Sequence, residues 1–365
     1  MHAIFEHYPA LREHIPFVPI GDLPTPVTEL AHLGREAGCG RLFIKRDDQS
    51  ATLYGGNKVR KLEFLLGEAK RRHARSVMTF GFAGSNHCTA TALYAREAGL
   101  GCISMLLPQP NAHALQRNLL LGHAAGAALH EYGGSAAIAA GTIAQWLRAL
   151  FTTGRPPMVI PPGGSSTIGT LGFVNAAFEL ARQVDEGLLP RPDVVYTAMG
   201  STGTTAGLHV GFQALGWPTR IVAVRVTVEA HANPAKTERL IRETTALIRK
   251  HAPEFPAIEP KMELVDIRGE YFGEGYGVYS PEGVAARDAL SEALGGVKLD
   301  GTYASKAFAG LLDDGRHGKL ADKAVVFWNT YNSNDMSRVL EGLDYRDLPK
   351  RLHRYFETPV QALDR

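Results

Sequence analysis

The stretch "RPDVVYTAMGSTGTTAGLHVGFQALGWPTRIVAVRVT", residues 191–227, decides the fold. It opens with "DVVYTAM", a short apolar run rich in β-branched residues, as expected of a strand buried on both faces. Gly200 stops the run, hydroxyl residues and glycines follow, and a helical pattern continues to Gly216. "TRIVAVRVT" then reads as a second buried strand. Strand, helix and strand in succession form a βαβ unit, which predicts a parallel sheet covered by helices. The same unit recurs upstream: "RSVMTFGFAG" (75–84) is a strand running into a glycine turn, "SNHCTATALYAREAGL" (85–100) a helix, and "GCISMLLP" (101–108) the next strand. No repeat period or low-complexity tract interrupts the alternation.

The chain of 365 residues exceeds what one core usually serves, so the reading is a two-lobed α/β protein. A small α/β lobe is expected over residues 62–175, and a large one from 1–61 plus 176–365. With 45% hydrophobic and 21% charged residues the composition is that of a globular protein, and a formal net charge of +2 offers no basic field for nucleic acid or an anionic membrane. "MHAIFEHYPALREHIPF" places charges and prolines where a signal peptide needs an apolar run, and no segment reaches spanning length, so a cytoplasmic location is expected. Cys39, Cys88 and Cys102 are widely spaced and odd in number, which provides neither a disulfide framework nor a CxxC metal site.

Ligands of parallel sheets bind beyond the carboxyl ends of strands, and the turns there carry the candidate chemistry. In "TLYGGNKVRKLEFLL" (52–66), Gly55 and Gly56 allow close backbone approach and Asn57 is a good N-cap. Leu62, Leu65 and Leu66 share one helical stripe, so Lys58 falls in the first turn. The helix dipole disfavours an ammonium there, which is poor for stability and suitable for a reactive amine. In "AMGSTGTTAGL" (198–208), backbone N–H groups at Gly200 and Gly203 and the hydroxyls of Ser201, Thr202, Thr204 and Thr205 are expected to converge on an anion such as phosphate. It is not a P-loop, since no lysine follows the last glycine, and a GxGxxG spacing is missing, which disfavours a kinase or a nicotinamide dehydrogenase.

The turn "GFAGSNHCTATA" (81–92) offers Ser85, Asn86 and His87 to a carboxylate, with Asn86 able to bond a phenolic oxygen; the bland alternative is capping by Ser85 above a half-buried His87. "IPPGGSSTIGTLGFVNAAFEL" (160–180) reads mainly as a turn and cap. Tyr276, Tyr303 and Thr330 stand in later loops, where a tyrosine is more often exposed than catalytic. Lys306 is a rival nucleophile without the glycine approach of Lys58. Residues 231–261 combine a charged helix with a Pro-broken loop that could form a rim or lid. A helix-start lysine, a phosphate cup and an asparagine for a phenolic oxygen together suit pyridoxal 5'-phosphate.

These residues resemble the 1-aminocyclopropane-1-carboxylate deaminase and D-cysteine desulfhydrase family, among the tryptophan-synthase-β-like, fold type II pyridoxal phosphate enzymes. The likeness runs from "PFVPIGDLPTPVTEL" through "LFIKRDDQ", "GGNKVRKLEFLL", "GSNHCTATA", "PPGGSSTIGTLGFVNA" and "GSTGTTAG" to "DGTYASKAFAGL", most of the chain. It implies Lys58 as Schiff-base lysine and proton carrier, Asn86 at the phenolic oxygen, and the 200–205 turn as phosphate cup. It further implies Ser85 and His87 at the substrate carboxylate, Tyr276 and Tyr303 flanking the substrate, and a homodimer.

Two departures bear on the substrate. The cyclopropane deaminases carry a glutamate near the pyridine nitrogen where this chain has Ala304, which weakens the ring as an electron sink. Thr330 aligns with a threonine of the desulfhydrases, yet it continues into "YNSN" where the family has glycines, so Tyr331 and Asn332 would place side chains where the family has only backbone. The expectation is a lyase that eliminates the β-substituent of a small amino acid, with D-cysteine first and cysteate, 3-chloroalanine or a bulkier β-substituted amino acid next. A cyclopropane amino acid deaminase is a further alternative. The rival of another class is a non-catalytic binder of pyridoxal phosphate or of a phosphorylated metabolite.

Overall fold

A computed structural model describes residues 2–365. Two sheets organise the chain. The strands are β1 (Val27–Glu29), β2 (Arg41–Lys45), β3 (Ser76–Phe82), β4 (Gly101–Leu107), β5 (Ala128–Glu131), β6 (Met158–Ile160), β7 (Val194–Met199), β8 (Arg220–Arg225), β9 (Val265–Arg268) and β10 (Ala324–Trp328). A six-stranded sheet has the order β1-β2-β10-β7-β8-β9, and a four-stranded sheet the order β5-β4-β3-β6. Among the described residues, only β1 with β2 is antiparallel and every other pair is parallel. The apolar run that predicted β7 is buried at every position and lies between β10 and β8, as a strand covered on both faces must.

The helices of twelve residues or more are α1 (Lys58–Arg71), α2 (Asn86–Glu97), α3 (His113–Ala124), α4 (Ser135–Thr153), α5 (Thr167–Asp185), α6 (Gly203–Ala214), α7 (Pro234–His251), α8 (Pro281–Ala293) and α9 (Ala304–Arg316). Among the described residues no helix is long and apolar enough to cross a membrane, and no group of side chains could hold a metal ion. All three cysteines are free and buried.

Helix α1 was expected to bury one stripe. It is instead enclosed all round, from Val59 to Ala69, with Arg60, Lys61, Glu63 and Glu68 among the buried residues. It packs on α5 on one side and α2 on the other, which leaves no solvent face. The boundary drawn at residue 62 falls inside this helix. Charge is matched on one side of it. Arg60 pairs with Asp47 at 2.7 Å and with Glu179 at 2.9 Å, Lys45 reaches Glu179 at 2.6 Å, and Trp328 Nε1 donates to Asp47 at 2.7 Å. Burial alone would raise the Glu179 carboxyl; Arg60 and Lys45 overcome that and hold it below its ordinary value. This cluster ties β2, β10, α1 and α5 together.

The glycines before Lys58 serve the backbone. A Cβ on Gly55 would lie 2.1 Å from the Asp48 carbonyl oxygen, and Gly56 has φ +100°, a conformation that L side chains rarely adopt. Asn57 is not the N-cap expected from sequence: it has helical angles and makes no cap bond, and its Nδ2 donates to Thr204 Oγ1 at 3.3 Å.

Candidate functional site

The carboxyl ends of β3, β6, β7 and β10 deliver four turns to one cavity of about 820 Å³ between the sheets. Lys58, Ser85, Asn86, His87, Gly200, Ser201, Thr202, Thr204, Tyr276, Tyr303 and Thr330 all line it. Gly203 and Thr205 do not. Gly203 lies just behind the wall, its N–H donating to Ser165 Oγ at 2.9 Å. Thr205 is fully buried, and its Oγ1 has no hydrogen-bond partner. As the third residue of α6, Thr205 offers a first-turn N–H, and its hydroxyl does not line the cavity.

Lys58 opens α1, and its ammonium has no ion-pair or hydrogen-bond partner among the described residues. Burial takes it down to about 8, with the Asp300 charge pulling the other way. Asp300, also on the cavity wall, is pushed up to about 6 by burial against the opposing pull of the Ala304 and Tyr303 N–H groups and of Lys58. Its two oxygens accept those N–H groups at 2.8 and 3.1 Å, so it holds the start of α9. Sequence reasoning missed it, because "DG" reads as a turn signal.

Three turns after the strands build a polar pocket beside Lys61, a second residue missed. Lys61 is enclosed and donates to the Gly163 carbonyl at 3.1 Å and Ser165 Oγ at 3.3 Å, and Ser165 Oγ donates to Ser201 Oγ at 2.8 Å. Burial and then repulsion by Lys58 drive its ammonium well below the ordinary lysine value. Among the described residues no carboxylate pairs with it. Segment 160–180, read mainly as turn and cap, does both jobs: Ser166 caps α5 by accepting the Gly169 N–H at 3.2 Å, while Ser165 faces the cavity.

On the other side, Ser85 caps α2 by accepting the Cys88 N–H at 3.3 Å and still lines the cavity. His87 is buried rather than half-buried. Its Nε2 meets Thr79 Oγ1 at 2.9 Å and its Nδ1 has no partner. Burial, Lys58 and Lys61 depress it far below the usual histidine range, so the ring is neutral. Asn86 has its Oδ1 occupied by the amide of Asn118 at 2.8 Å and by Tyr54 OH at 3.3 Å, which leaves its Nδ2 hydrogens without a protein acceptor.

Tyr276 and Tyr303 are not solvent-exposed loop residues. Their hydroxyls bond each other, Tyr276 stacks on Phe82 with ring centroids 3.9 Å apart, and burial raises both phenols, so both stay protonated. Lys306, the rival nucleophile, does not line the cavity: its Nζ donates to the Phe272 carbonyl at 2.7 Å and pins the loop that carries Tyr276. Of the two departures after Thr330, Tyr331 lines the cavity with its hydroxyl held by Arg117 of α3. Asn332 turns back instead, its Oδ1 accepting the Gly55 N–H at 2.7 Å.

This set fits pyridoxal phosphate on observations of the cavity alone. It combines an unpaired amine at Lys58, two serine hydroxyls and a helix start with the enclosed Lys61 amine just behind them, and an amide donor at Asn86 without a protein acceptor. The glycines leave the necessary space: a Cβ on Gly163 would sit 2.3 Å from Ser201 Oγ, and one on Gly203 2.9 Å from Lys61 Nζ.

The chain is similar to known proteins over most of its length. It is 36% identical over 322 residues to a putative 1-aminocyclopropane-1-carboxylate deaminase of Pyrococcus horikoshii, covering 88% of this chain and 93% of that one. It is 35% identical over 313 residues to a D-cysteine desulfhydrase of Klebsiella pneumoniae, covering 84% and 90%. The crystal structure of an ACC deaminase homologue superposes with a TM-score of 0.75 at 32% identity, covering 94% of this chain and 100% of that one. The family model described as pyridoxal-phosphate dependent enzyme matches residues 18–330, and the cavity built between those residues holds the groups that such a cofactor requires, so the chain belongs to the pyridoxal-phosphate dependent enzymes.

Proposed function

We propose that this protein is a lyase that eliminates the β-substituent of an amino acid, releasing ammonia and a 2-oxo acid, with D-cysteine the smallest substrate to test. The observation that carries the reading is Lys58: a half-buried amine without a partner among the described residues, taken down to about 8, on the wall of a partly open cavity behind which the enclosed Lys61 amine lies with no carboxylate beside it. Bound pyridoxal phosphate supplies an electron sink that makes the α-proton of an amino acid acidic and lets a β-substituent leave. In this reading Lys61, Ser201, Thr202, Thr204 and the first-turn N–H groups of α6 hold the phosphate, and Asn86 donates to the phenolic oxygen. Thr330 is the hydroxyl offered to the ring nitrogen, with Ala304 adding no charge there.

Lys58 Nζ takes the α-proton, for which a value near 8 leaves a useful fraction unprotonated at neutral pH. Ser85 and the neutral His87 meet the substrate carboxylate. The Tyr276–Tyr303 pair, kept protonated by burial, hydrogen-bonds the departing group without transferring its proton. The absence of a carboxylate at position 304 favours elimination of a good leaving group over opening of a cyclopropane. We also propose a small lobe over residues 62–175, with both limits inside the helices α1 and α5 that join it to the large one, a cytoplasmic location, and, as the resemblance implies, a homodimer.

The test is a visible absorption spectrum of purified protein before and after borohydride, with mass mapping of the reduced adduct and an ammonia and 2-oxo acid assay on D-cysteine. The expected result is an adduct on the Lys58 peptide and turnover that Lys58→Ala abolishes. An adduct elsewhere, or turnover retained by Lys58→Ala, defeats the assignment.

A further inference from the structure

Helix α7 contributes a wall to the cavity that nothing above uses. Lys236, Arg239, Leu240 and Glu243, spaced as one stripe of the helix, line it together with His231 from the preceding turn. The other side of α7, through Ile241 and Ile248, packs into the core with α5 and α6, which fixes the direction of the stripe. Apolar side chains also reach the cavity, among them Ile138 of α4, Val159 of β6 and Leu107 at the end of β4.

The charges on this wall do not cancel. Arg239 Nε lies 3.7 Å from Glu243 Oε1, and the other Glu243 oxygen accepts from Thr167 Oγ1 at 3.3 Å. Lys236 donates to the Ala230 carbonyl at 2.6 Å and makes no ion pair among the described residues. Two cations therefore face one carboxylate. The space is also generous. At about 820 Å³ the cavity lies toward the upper end of the range for ligand sites, roughly 300–1,000 Å³, with room beyond a cofactor and a three-carbon amino acid.

We propose that this wall is a specificity site for the far end of the β-substituent, and that the preferred substrate carries an apolar stem ending in an anion that Lys236 and Arg239 receive. The proposal rests on the elimination reading above. For a thioether substrate the reaction balances simply: the Cα–H and Cβ–S bonds break, the departing sulfur takes a proton, and one water converts the remainder into ammonium and pyruvate. The tail is unchanged by the chemistry, so its anion acts through binding alone.

The experiment compares S-(3-carboxypropyl)cysteine with its neutral near-isostere S-butylcysteine, as both enantiomers, on the holoenzyme. The expected kcat/KM for 2-oxo acid release is about threefold higher for the carboxylate tail, the gain from an ion contact at a largely solvent-exposed wall. That ratio is expected to fall toward one in Lys236→Gln/Arg239→Gln. Equal values in the parent enzyme, or a ratio the double variant leaves intact, overturn the proposal. So does a double variant that loses cofactor absorbance while keeping the ratio, because the cations would then serve the cofactor. Calorimetric binding of the same pair to the holoenzyme separates the two readings. A preference in binding without turnover keeps the specificity site and defeats the elimination, and no preference in binding defeats the specificity site.

Discussion

Arg60 and Lys61 are neighbours on α1, both enclosed by protein, and they differ in everything around them. Arg60 meets two carboxylates and a threonine hydroxyl, all from this chain. Lys61 meets a carbonyl and a serine hydroxyl, with no carboxylate and with Lys58 repelling it from the same helix. Burying a charge is costly unless it is paired. The first pocket is therefore complete within the fold, while the second is missing its anion. In the proposed reading the cofactor phosphate supplies it, so one helix carries a structural cation and a binding cation side by side.

Breaking the complete pocket should have the largest effect. Arg60→Met leaves Asp47 buried without its cation and Glu179 with Lys45 alone, and should cost about 3–5 kcal/mol of stability, read from the denaturant midpoint. Little change there would mean that packing alone holds α1. The incomplete pocket should respond in the opposite sense. Lys61→Met should leave the stability of the cofactor-free protein unchanged or raised, and weaken cofactor binding about 10- to 100-fold, the loss of one charge-assisted contact of roughly 1.5–3 kcal/mol. Absorbance titration with pyridoxal phosphate reads the second effect. A stability loss like that of Arg60→Met would erase the distinction between the two sides.

A smaller effect should appear with pH in the cofactor-free protein. Lys58 is about 8 in the fold and 10.5 as an ordinary lysine. Between these values the unfolded chain holds a proton that the folded one has released, so stability should rise with pH across that window. Asp300 runs the other way: with 3.8 raised to about 6, the folded state holds the extra proton, and its contribution is present below the lower value and lost as pH rises through the upper one. Lys45 and Lys306, also brought down to about 8 by burial, share the alkaline window, so the Lys58 part is read as the difference between the parent and Lys58→Met. Identical slopes in the two proteins would mean that Lys58 is not buried in the way described.

What could be read from the chain follows from how locally each signal is written. The βαβ units were legible because a strand covered on both faces is mostly apolar, as "VVYTAM" and "IVAV" are. Lys58 was legible because two glycines and a helix start flank it. Lys61 was not, since a lysine three residues into a helix reads as a solvated one until α5 and the 163–165 turn close over it. Asp300 hid in a turn dipeptide, and Ser165 behind the cap made by Ser166. Asn57 carried a capping signal, yet it spends its side chain on Thr204, 147 residues away in the sequence.

The sequence by itself determined the alternation of strands and helices and placed Lys58 and the polar turns that line the cavity, because hydrophobic period and turn chemistry act within a few residues. Only the tertiary structure decided which cations are matched, which hydroxyls face the cavity, and that the α7 stripe forms one of its walls. Those depend on what distant segments bring within hydrogen-bonding reach, and on how far burial removes water from the charges they enclose.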